Sequence, residues 1–244
     1  GTRTDIAAGV EISKVHGGYF SSAEKAQIFC DIGLSKILTE LPIHVRYADF
    51  GGGEGCLAKV VSVYLREHGK EVDTSVVDAN EKSIDVVKKE GLCAVLANLQ
   101  DCTIGNLNLI TMRAVNHYNS WDDQIIIMKN VYANLAEGGF LINQLSSGSK
   151  ENVMLRTEIV SLPSLIYGSF LGKKGYRWIS EDEYKTLCAD AGFSDTQLTG
   201  YCPPNAWGPE EQWDRMNGKR LHEAEVAGDM QLVEDLHDHR EKLI

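Results

Sequence analysis

The chain has 244 residues, of which 43% are hydrophobic and 24% are charged, an ordinary composition for a globular protein long enough to bury one full core. Its formal net charge of −11 would repel a phosphate backbone, so we expect no nucleic-acid partner. No apolar run is long enough to span a bilayer and no secretory segment is evident, so we expect no membrane partner.

The six cysteines are scattered along the chain and include no pair with CxxC spacing. This pattern argues against a zinc site or a disulfide framework, and we expect no bound metal. It also fits a reducing compartment, so the expected location is the cytoplasm.

The chain opens with a weakly patterned segment. Ser21 and Glu24 then have the spacing of a capping box, and the helix that they begin is predicted to continue to about Leu41, where Pro42 stops it. Residues 1–42 are therefore interpreted as an N-terminal helical arm.

Strand and helix patterns alternate over residues 43–200. The predicted strands are Val45–Phe50, Thr74–Val77, Cys93–Ala97, Leu107–Met112, Phe140–Gln144 and Phe193–Leu198. Between them lie helices that begin after a glycine turn, at Asn80, at Ser120 and at a second capping box formed by Ser180 and Glu183; the segment from about Lys150 to Gly175 is predicted to be a helix interrupted at Pro163. Such alternation requires crossover connections, so we predict an α/β fold with a mostly parallel, Rossmann-like sheet covered by helices on both faces.

Residues 201–244 are interpreted as an acidic helical tail of two helices, with Pro209 and Asp229 near their starts. The whole chain is expected to form a single compact domain. The arm or the tail is a possible homodimer contact, and the tail could equally be a lid or a solvated helix pair.

The strongest motif is the glycine turn at the end of the first strand, where Asp49 is followed by glycines in GxGxG spacing at Gly51, Gly53 and Gly55. Glycines let the backbone bend sharply and let a ligand approach closely. A carboxylate at Asp49 would repel a pyrophosphate but suits a ligand that carries an ammonium and a sulfonium group. The spacing also differs from the GxGxxG of nicotinamide dehydrogenases.

A second acid, Asp78, ends the second predicted strand 23 residues beyond Gly55. A carboxylate there can accept hydrogen bonds from both hydroxyls of a ribose. Alone, the same residue could simply cap a helix.

These residues resemble class I S-adenosylmethionine-dependent methyltransferases. The segment Asp49 to Gly55 is similar to motif I of the family, Asp78 to its motif II acid, and Asn98 with Leu99 to the stretch beside the adenine, where Asn98 stands in place of the usual Asp. The segment 108–118 resembles the fourth strand and its loop, 135–141 the turn into the fifth strand, and 184–193 the helix before the sixth. No candidate follows for the seventh strand that the family usually has.

The resemblance implies S-adenosyl-L-methionine as cofactor and S-adenosyl-L-homocysteine as product. The cofactor-binding residues that it implies are Asp49, Gly51, Gly53, Gly55, Asp78, Ala79, Asn98, Leu99, Met112 and Arg113. The implied function is O- or N-methylation of a small-molecule acceptor by direct displacement. The alternative is an enzyme that binds the donor but catalyses a rearrangement or an elimination.

Residues that follow the fourth strand face the reacting end of such a ligand. His117 is the candidate general base, because an imidazole titrates near neutral pH, although it could equally be a loop histidine without a catalytic role. The candidate substrate-binding residues are Tyr19, Asn116, Tyr118 and Trp178; local packing would also explain Tyr19, Tyr118 and Trp178.

Overall fold

The computed structural model describes residues 22–145, 177–200 and 209–243. They form two compact units, one made of 22–116, 121–145 and 185–199, the other of 117–120, 177–184, 200 and 209–243. The predicted helix between about Lys150 and Gly175, together with Tyr19, lies outside the described residues.

A five-stranded sheet forms the centre of the first unit, in the order β3-β2-β1-β4-β5. All four strand pairs are parallel. The strands are β1 (His44–Phe50), β2 (Glu71–Asp78), β3 (Cys93–Leu96), β4 (Leu107–Arg113) and β5 (Leu135–Gln144). The α/β prediction is confirmed, and β1 and β4 are neighbours although two strands separate them in sequence. Open α/β sheets bind ligands at such a switch in strand order, beyond the carboxyl ends of the strands.

The described residues contain seven α-helices. They are α1 (Ala23–Ile32), α2 (Cys56–Glu67), α3 (Glu81–Lys89), α4 (Trp121–Asn134), α5 (Glu181–Ala191), α6 (Pro209–Ala227) and α7 (Met230–Leu243). Asn80 caps α3 as predicted, because its side-chain oxygen accepts hydrogen bonds from the amides of Lys82 and Ser83.

Alternation along β1 divides the core of the first unit between the two faces of the sheet. Val45 and Tyr47 pack with α1, α2 and Val87 of α3. Ala48 and Phe50 pack on the opposite face, against α4. Because successive side chains of a strand point to opposite faces, one buried strand serves both clusters.

The predicted start and end of the first helix are wrong. Ser22, not Ser21, is its N-cap and accepts a 3.3 Å hydrogen bond from the Lys25 amide. The helix ends at Ile32 rather than near Leu41, and a 3₁₀ turn at Leu34–Lys36 follows. At the break, a Cβ on Gly33 would lie 2.9 Å from Ile142 of β5. The position at which the helix ends is therefore also one where close packing against the sheet requires glycine.

The last strands also differ from the prediction. β5 begins at Leu135, five residues early, and Gly138 lies within it with a φ of +72°. The predicted sixth strand, Phe193–Leu198, is absent from the described residues, where 194–200 are mostly exposed and pair with no strand. Phe193 instead packs edge-on against Tyr132 of α4. The aromatic residue at the start of this segment thus reflects one anchored side chain rather than a strand.

In the second unit, the capping box at the start of α5 is confirmed. The Ser180 amide donates to Glu183 at 2.9 Å, and the Glu183 amide donates to the Ser180 hydroxyl at 3.3 Å. The Arg177 guanidinium also donates to Glu183, at 2.7 Å. Burial, the largest single cause, raises the pKa of Glu183, but the hydrogen bonds from Ser180 and Arg177 and the charge of Arg177 together outweigh it, so the pKa is lowered.

The two tail helices are present as predicted, and they share a buried face. Trp213 and Leu236 have no exposed surface, and the Trp213 indole donates a 3.0 Å hydrogen bond to His239. Among the described residues, no helix has both the length and the apolar character needed to cross a membrane.

Candidate functional site

The glycine turn connects β1 to α2 at the carboxyl edge of the sheet. Gly51, Gly53 and Gly55 have φ values of +71°, +54° and +80°, which L-residues rarely adopt. The amides of Gly51 and Gly52 donate to the carbonyl of Val77 at 2.8 and 3.1 Å, which holds the turn against the end of β2. A Cβ on Gly51 would lie 2.6 Å from Val115, so the first glycine also allows close packing against the loop after β4.

Asp78 ends β2 directly beside this turn. Its Oδ2 accepts a 2.8 Å hydrogen bond from the Gly53 amide, and its Oδ1 accepts one of 2.8 Å from the Asn80 amide. Burial raises the pKa of Asp78, while these two amides and that of Ala79 lower it. A carboxylate has about four acceptor positions, so each oxygen retains capacity for a ligand hydroxyl.

Asp49 lies two residues before the turn and is 1% exposed. Its Oδ1 accepts a 2.8 Å hydrogen bond from the Thr111 hydroxyl, whereas its Oδ2 has no hydrogen bond of ordinary geometry. Burial raises the pKa of Asp49 to about 6, against the lowering effects of Thr111, Arg113 and the Ala58 amide. An unpaired buried acceptor costs about 1–3 kcal/mol, which a hydrogen-bonding or cationic ligand group would recover.

Gly52 lies directly beside Oδ2 of Asp49. A Cβ at that position would lie 2.8 Å from Asp49 Oδ2 and 2.8 Å from Val76. Glycine is therefore required at position 52 because a larger residue would clash with Asp49 and Val76, and not because of a positive φ.

Of the other predicted cofactor residues, Asn98 and Leu99 follow β3. The carbonyl of Asn98 accepts hydrogen bonds from the amides of Asp101 and Cys102, and Leu99 is 8% exposed. Met112 has no exposed surface and packs in the core against α4, so its side chain belongs to the core. Arg113, at the end of β4, is 9% exposed and close enough to Asp49 to lower its pKa.

Asn116 follows β4 and is 1% exposed. Its Oδ1 accepts a 2.8 Å hydrogen bond from Asn143 of β5, while its Nδ2 has no partner. Ala114, between β4 and Asn116, has a φ of +58°. This conformation is unusual for a residue with a Cβ, and it marks a sharp turn at the strand end.

The second unit contains His117, Tyr118 and Trp178. The His117 ring stacks on the Trp178 indole with centroids 4.1 Å apart and planes 6° apart, and it lies 4.3 Å from the Tyr118 ring. The His117 carbonyl also accepts a hydrogen bond from the Arg177 amide. The structure therefore brings three of the predicted acceptor-site residues together, and His117 is only 5% exposed.

Sequence reasoning missed three residues of the first unit's site. Gly52 stood in a variable position of the glycine motif, Thr111 resembled an ordinary strand residue, and Tyr47 an ordinary core aromatic. The threonine offered the one usable signal, because it is a polar residue within the apolar β4 segment. Its partner across the strands could be identified only from the register that pairs Asp49 with Thr111.

The first unit thus presents two carboxylates at the ends of adjacent strands, both against one glycine turn. Comparison with known proteins gives a family for this arrangement. A family model described as "Methyltransferase domain" matches residues 23–198. No curated protein sequence matches the chain.

Solved structures share the fold at low sequence identity. The chain is similar to human N-acetylserotonin methyltransferase in complex with S-adenosylmethionine, at 18% identity and a TM-score of 0.52, covering 82% of this chain and 59% of that one. It is similar to PigF with S-adenosylhomocysteine at 18% identity and a TM-score of 0.50, over 76% and 58% of the two chains.

A methyltransferase from Clostridium acetobutylicum ATCC 824, described as S-adenosylmethionine-dependent, aligns at 20% identity and a TM-score of 0.44, over 54% of this chain and 56% of that one. The chain therefore spans less than two thirds of the length of each of these three proteins. The family match, in contrast, covers most of the chain, including the whole sheet. The chain therefore belongs to the methyltransferase domain family, a family of S-adenosylmethionine-dependent enzymes.

Proposed function

We propose that this protein transfers a methyl group from S-adenosylmethionine to an oxygen or nitrogen atom of a small molecule. The observation that carries the proposal is the arrangement of two acids around one glycine turn. Asp78 accepts a hydrogen bond from the Gly53 amide, and Oδ2 of Asp49, which has no ordinary hydrogen bond, lies beside Gly52 of the same turn. The two acids have different hydrogen-bond environments and hence different roles.

Asp78 suits the ribose of the donor. Its two oxygens are held in place by backbone amides, so the carboxylate is oriented before a ligand arrives. Asp49 suits the ammonium group of the donor, because its Oδ2 is buried and has no hydrogen bond of ordinary geometry. Ala79, Asn98 and Leu99 would lie beside the adenine, and Met112 would act through the strand backbone, because its side chain is buried in the core.

Arg113 gives the site a positive charge near Asp49. The amino-acid end of the donor carries both an ammonium and a carboxylate, and a guanidinium pairs well with a carboxylate. We assign the carboxylate to Arg113 and the ammonium to Asp49.

The bound sulfonium supplies a methyl group that is already activated, so the protein mainly has to align the nucleophile and exclude water. A general base is needed only when the acceptor must lose a proton. We propose His117 for that role, with Tyr118 and Trp178 as walls of the acceptor site. Asn116, whose Nδ2 is buried and has no partner, would donate to the acceptor. Tyr19 stays a candidate from the sequence alone.

Three features favour a small-molecule acceptor. The net charge of −11 disfavours nucleic acid. No Asn/Asp-Pro-Pro-aromatic sequence follows β4, the motif that grips a flipped base in nucleic-acid amino-methyltransferases. The third is the shared fold of N-acetylserotonin methyltransferase, whose name gives a small acceptor.

An assay for S-adenosylhomocysteine release, run over a panel of small phenols, alcohols and amines, tests the proposal. Release that depends on one acceptor class, with the methylated product found by mass spectrometry, is the expected result. Consumption of S-adenosylmethionine without any methylated product would contradict it and favour a rearrangement or an elimination. The Asp78→Asn variant is the control, and its rate should fall at low S-adenosylmethionine concentration because its affinity for the donor is expected to be lower.

A further inference from the structure

Three buried side chains form a hydrogen-bonded row from β1 to β4 beneath the glycine turn. The Tyr47 hydroxyl lies 2.7 Å from the Thr111 hydroxyl, which donates at 2.8 Å to Oδ1 of Asp49. Tyr47 and Thr111 have no exposed surface, and Asp49 has 1%. Asp49 of β1 pairs with Thr111 of β4 in the strand register, so the row crosses between the two strands at which the strand order of the sheet reverses.

The direction of the hydrogen bonds follows from the charge on Asp49. An ionised carboxylate can only accept, so Thr111 uses its single hydroxyl proton on Oδ1. Tyr47 must then donate to Thr111. The row is therefore directional, and it ends on one specific oxygen of Asp49.

The two oxygens of Asp49 therefore differ in their hydrogen bonds. Oδ1 is held by Thr111, and the register of two neighbouring strands fixes its place. Oδ2 has no hydrogen bond of ordinary geometry, although the Ala58 amide is near enough to the carboxylate to lower its pKa, and Oδ2 lies 2.8 Å from where a Cβ on Gly52 would be. If the carboxylate were free to rotate, it could form hydrogen bonds with other groups or turn either oxygen towards the glycine turn.

We propose that Thr111 and Tyr47 are positioning residues, which hold Asp49 so that its Oδ2 binds the ammonium end of the methyl donor. The inference rests on the proposed function, since it concerns the same donor. It adds a determinant of specificity, because this row selects for ligands that carry the amino-acid end. A ligand with the same nucleoside but no ammonium group gains nothing from it.

Other charged groups around Asp49 also enter its titration. Arg113 of β4 lowers the pKa of Asp49, and Asp78 of β2 raises it. Tyr47 has its own pKa raised, chiefly by burial and then by Asp49. On α1, burial raises the pKa of the Cys30 thiol to about 12, so Cys30 stays neutral at physiological pH. Losing the Thr111 hydrogen bond leaves these groups in place and removes one factor that lowers the pKa of Asp49.

The test compares two probes by calorimetry. S-adenosylhomocysteine has the amino-acid end, and 5′-methylthioadenosine has the nucleoside and sulfur without it. Thr111→Val is expected to weaken binding of the first about tenfold and to leave the second unchanged. It should also move the pH midpoint of S-adenosylhomocysteine binding to higher pH, whereas Thr111→Ser restores both properties.

The control is Thr74→Val, which removes another threonine hydrogen bond, the partly buried one to Ser62 on α2. It should alter neither probe. A double variant, Tyr47→Phe with Thr111→Val, leaves no orphaned tyrosine hydroxyl and serves if Thr111→Val alone folds poorly.

Two results overturn the inference while the proposed function stands. The first is a folded Thr111→Val variant that binds S-adenosylhomocysteine as tightly as the wild type does. The second is a Thr111→Val variant whose affinity falls equally for S-adenosylhomocysteine and for 5′-methylthioadenosine. A wild type that binds neither probe overturns the proposed function, and the inference with it.

Discussion

The backbone amide of Gly53 donates a 2.8 Å hydrogen bond to Oδ2 of Asp78. The bond ties the turn after β1 to the acid that ends β2. It lets one substitution at Asp78 affect both the ligand contact and the shape of the turn. The same carboxylate accepts from Asn80, so it also supports the start of α3.

Replacing Asp78 with asparagine should weaken S-adenosylhomocysteine binding by roughly 10- to 100-fold, since hydrogen bonds to a charged group contribute about 1.5–3 kcal/mol. The amide keeps the shape but offers one acceptor atom instead of two. Calorimetry measures the loss, and Asp73→Asn, an exposed position on the same strand, is the control. Equal affinity in wild type and Asp78→Asn would remove the ribose assignment.

Gly53→Ala should weaken donor binding for a reason separate from backbone strain. A Cβ there meets nothing within 4 Å, so it projects into the open space beside the turn, and the φ of +54° adds a strain of about 1–2 kcal/mol. Gly69→Ala is matched for strain, with a φ of +77° and equally open surroundings at the end of α2.

Both glycine variants should lose similar amounts of unfolding free energy in denaturant titrations. Only Gly53→Ala should have a lower affinity for S-adenosylhomocysteine, by about tenfold. If the two variants bind equally well, the ligand does not lie over the turn.

The pKa of Asp49 near 6 predicts opposite effects of pH on stability and on binding. Because the folded-state pKa lies above the ordinary value of 3.8, the folded state holds its proton more tightly. The contribution of Asp49 to stability is therefore fully present below about pH 4 and is lost as the pH rises through about 6. Asp49→Asn should flatten this part of a stability-against-pH curve measured by urea unfolding.

Binding of an ammonium ligand requires the ionised form of Asp49. The affinity for S-adenosylhomocysteine should therefore rise about tenfold per pH unit below about pH 6 and level off above it. Affinity that is constant across this range, or that falls as the pH rises, would refute the ammonium contact.

His117→Phe separates the two roles open to this histidine. A phenyl ring can keep the stacking on Trp178, so the melting temperature should change little. If His117 is the base, turnover of an acceptor that must lose a proton should fall roughly 100-fold or more. Wild-type turnover in this variant, measured as S-adenosylhomocysteine release, would leave His117 with packing alone.

The elements that could be predicted from the sequence are those whose signal is local. The glycine turn, the Asn80 cap and the Ser180–Glu183 box each depend on residues a few positions apart, and all three form. The first helix ends just before Gly33, where a Cβ would meet Ile142, more than a hundred residues away. The sequence of segment 193–198 predicts a strand, but only contacts with α4 decide where Phe193 packs.

The candidate site follows the same division. The acids Asp49 and Asp78 could be predicted because each ends a strand next to a glycine motif. Thr111 and Tyr47 could not, because their role depends on the register of β1 against β4 and on which oxygen of Asp49 has no ordinary hydrogen bond. Pairing across strands is a tertiary property that no short window contains.

The central claim is that a sulfonium nucleoside binds across the first glycine turn with Asp78 on its sugar. Isothermal titration calorimetry of the wild-type protein with S-adenosylhomocysteine tests this most directly, with folding checked by circular dichroism. We predict one site per chain, with binding weakened in Asp78→Asn and unchanged in Asp73→Asn. Folded wild-type protein that binds neither S-adenosylhomocysteine nor S-adenosylmethionine would contradict the account.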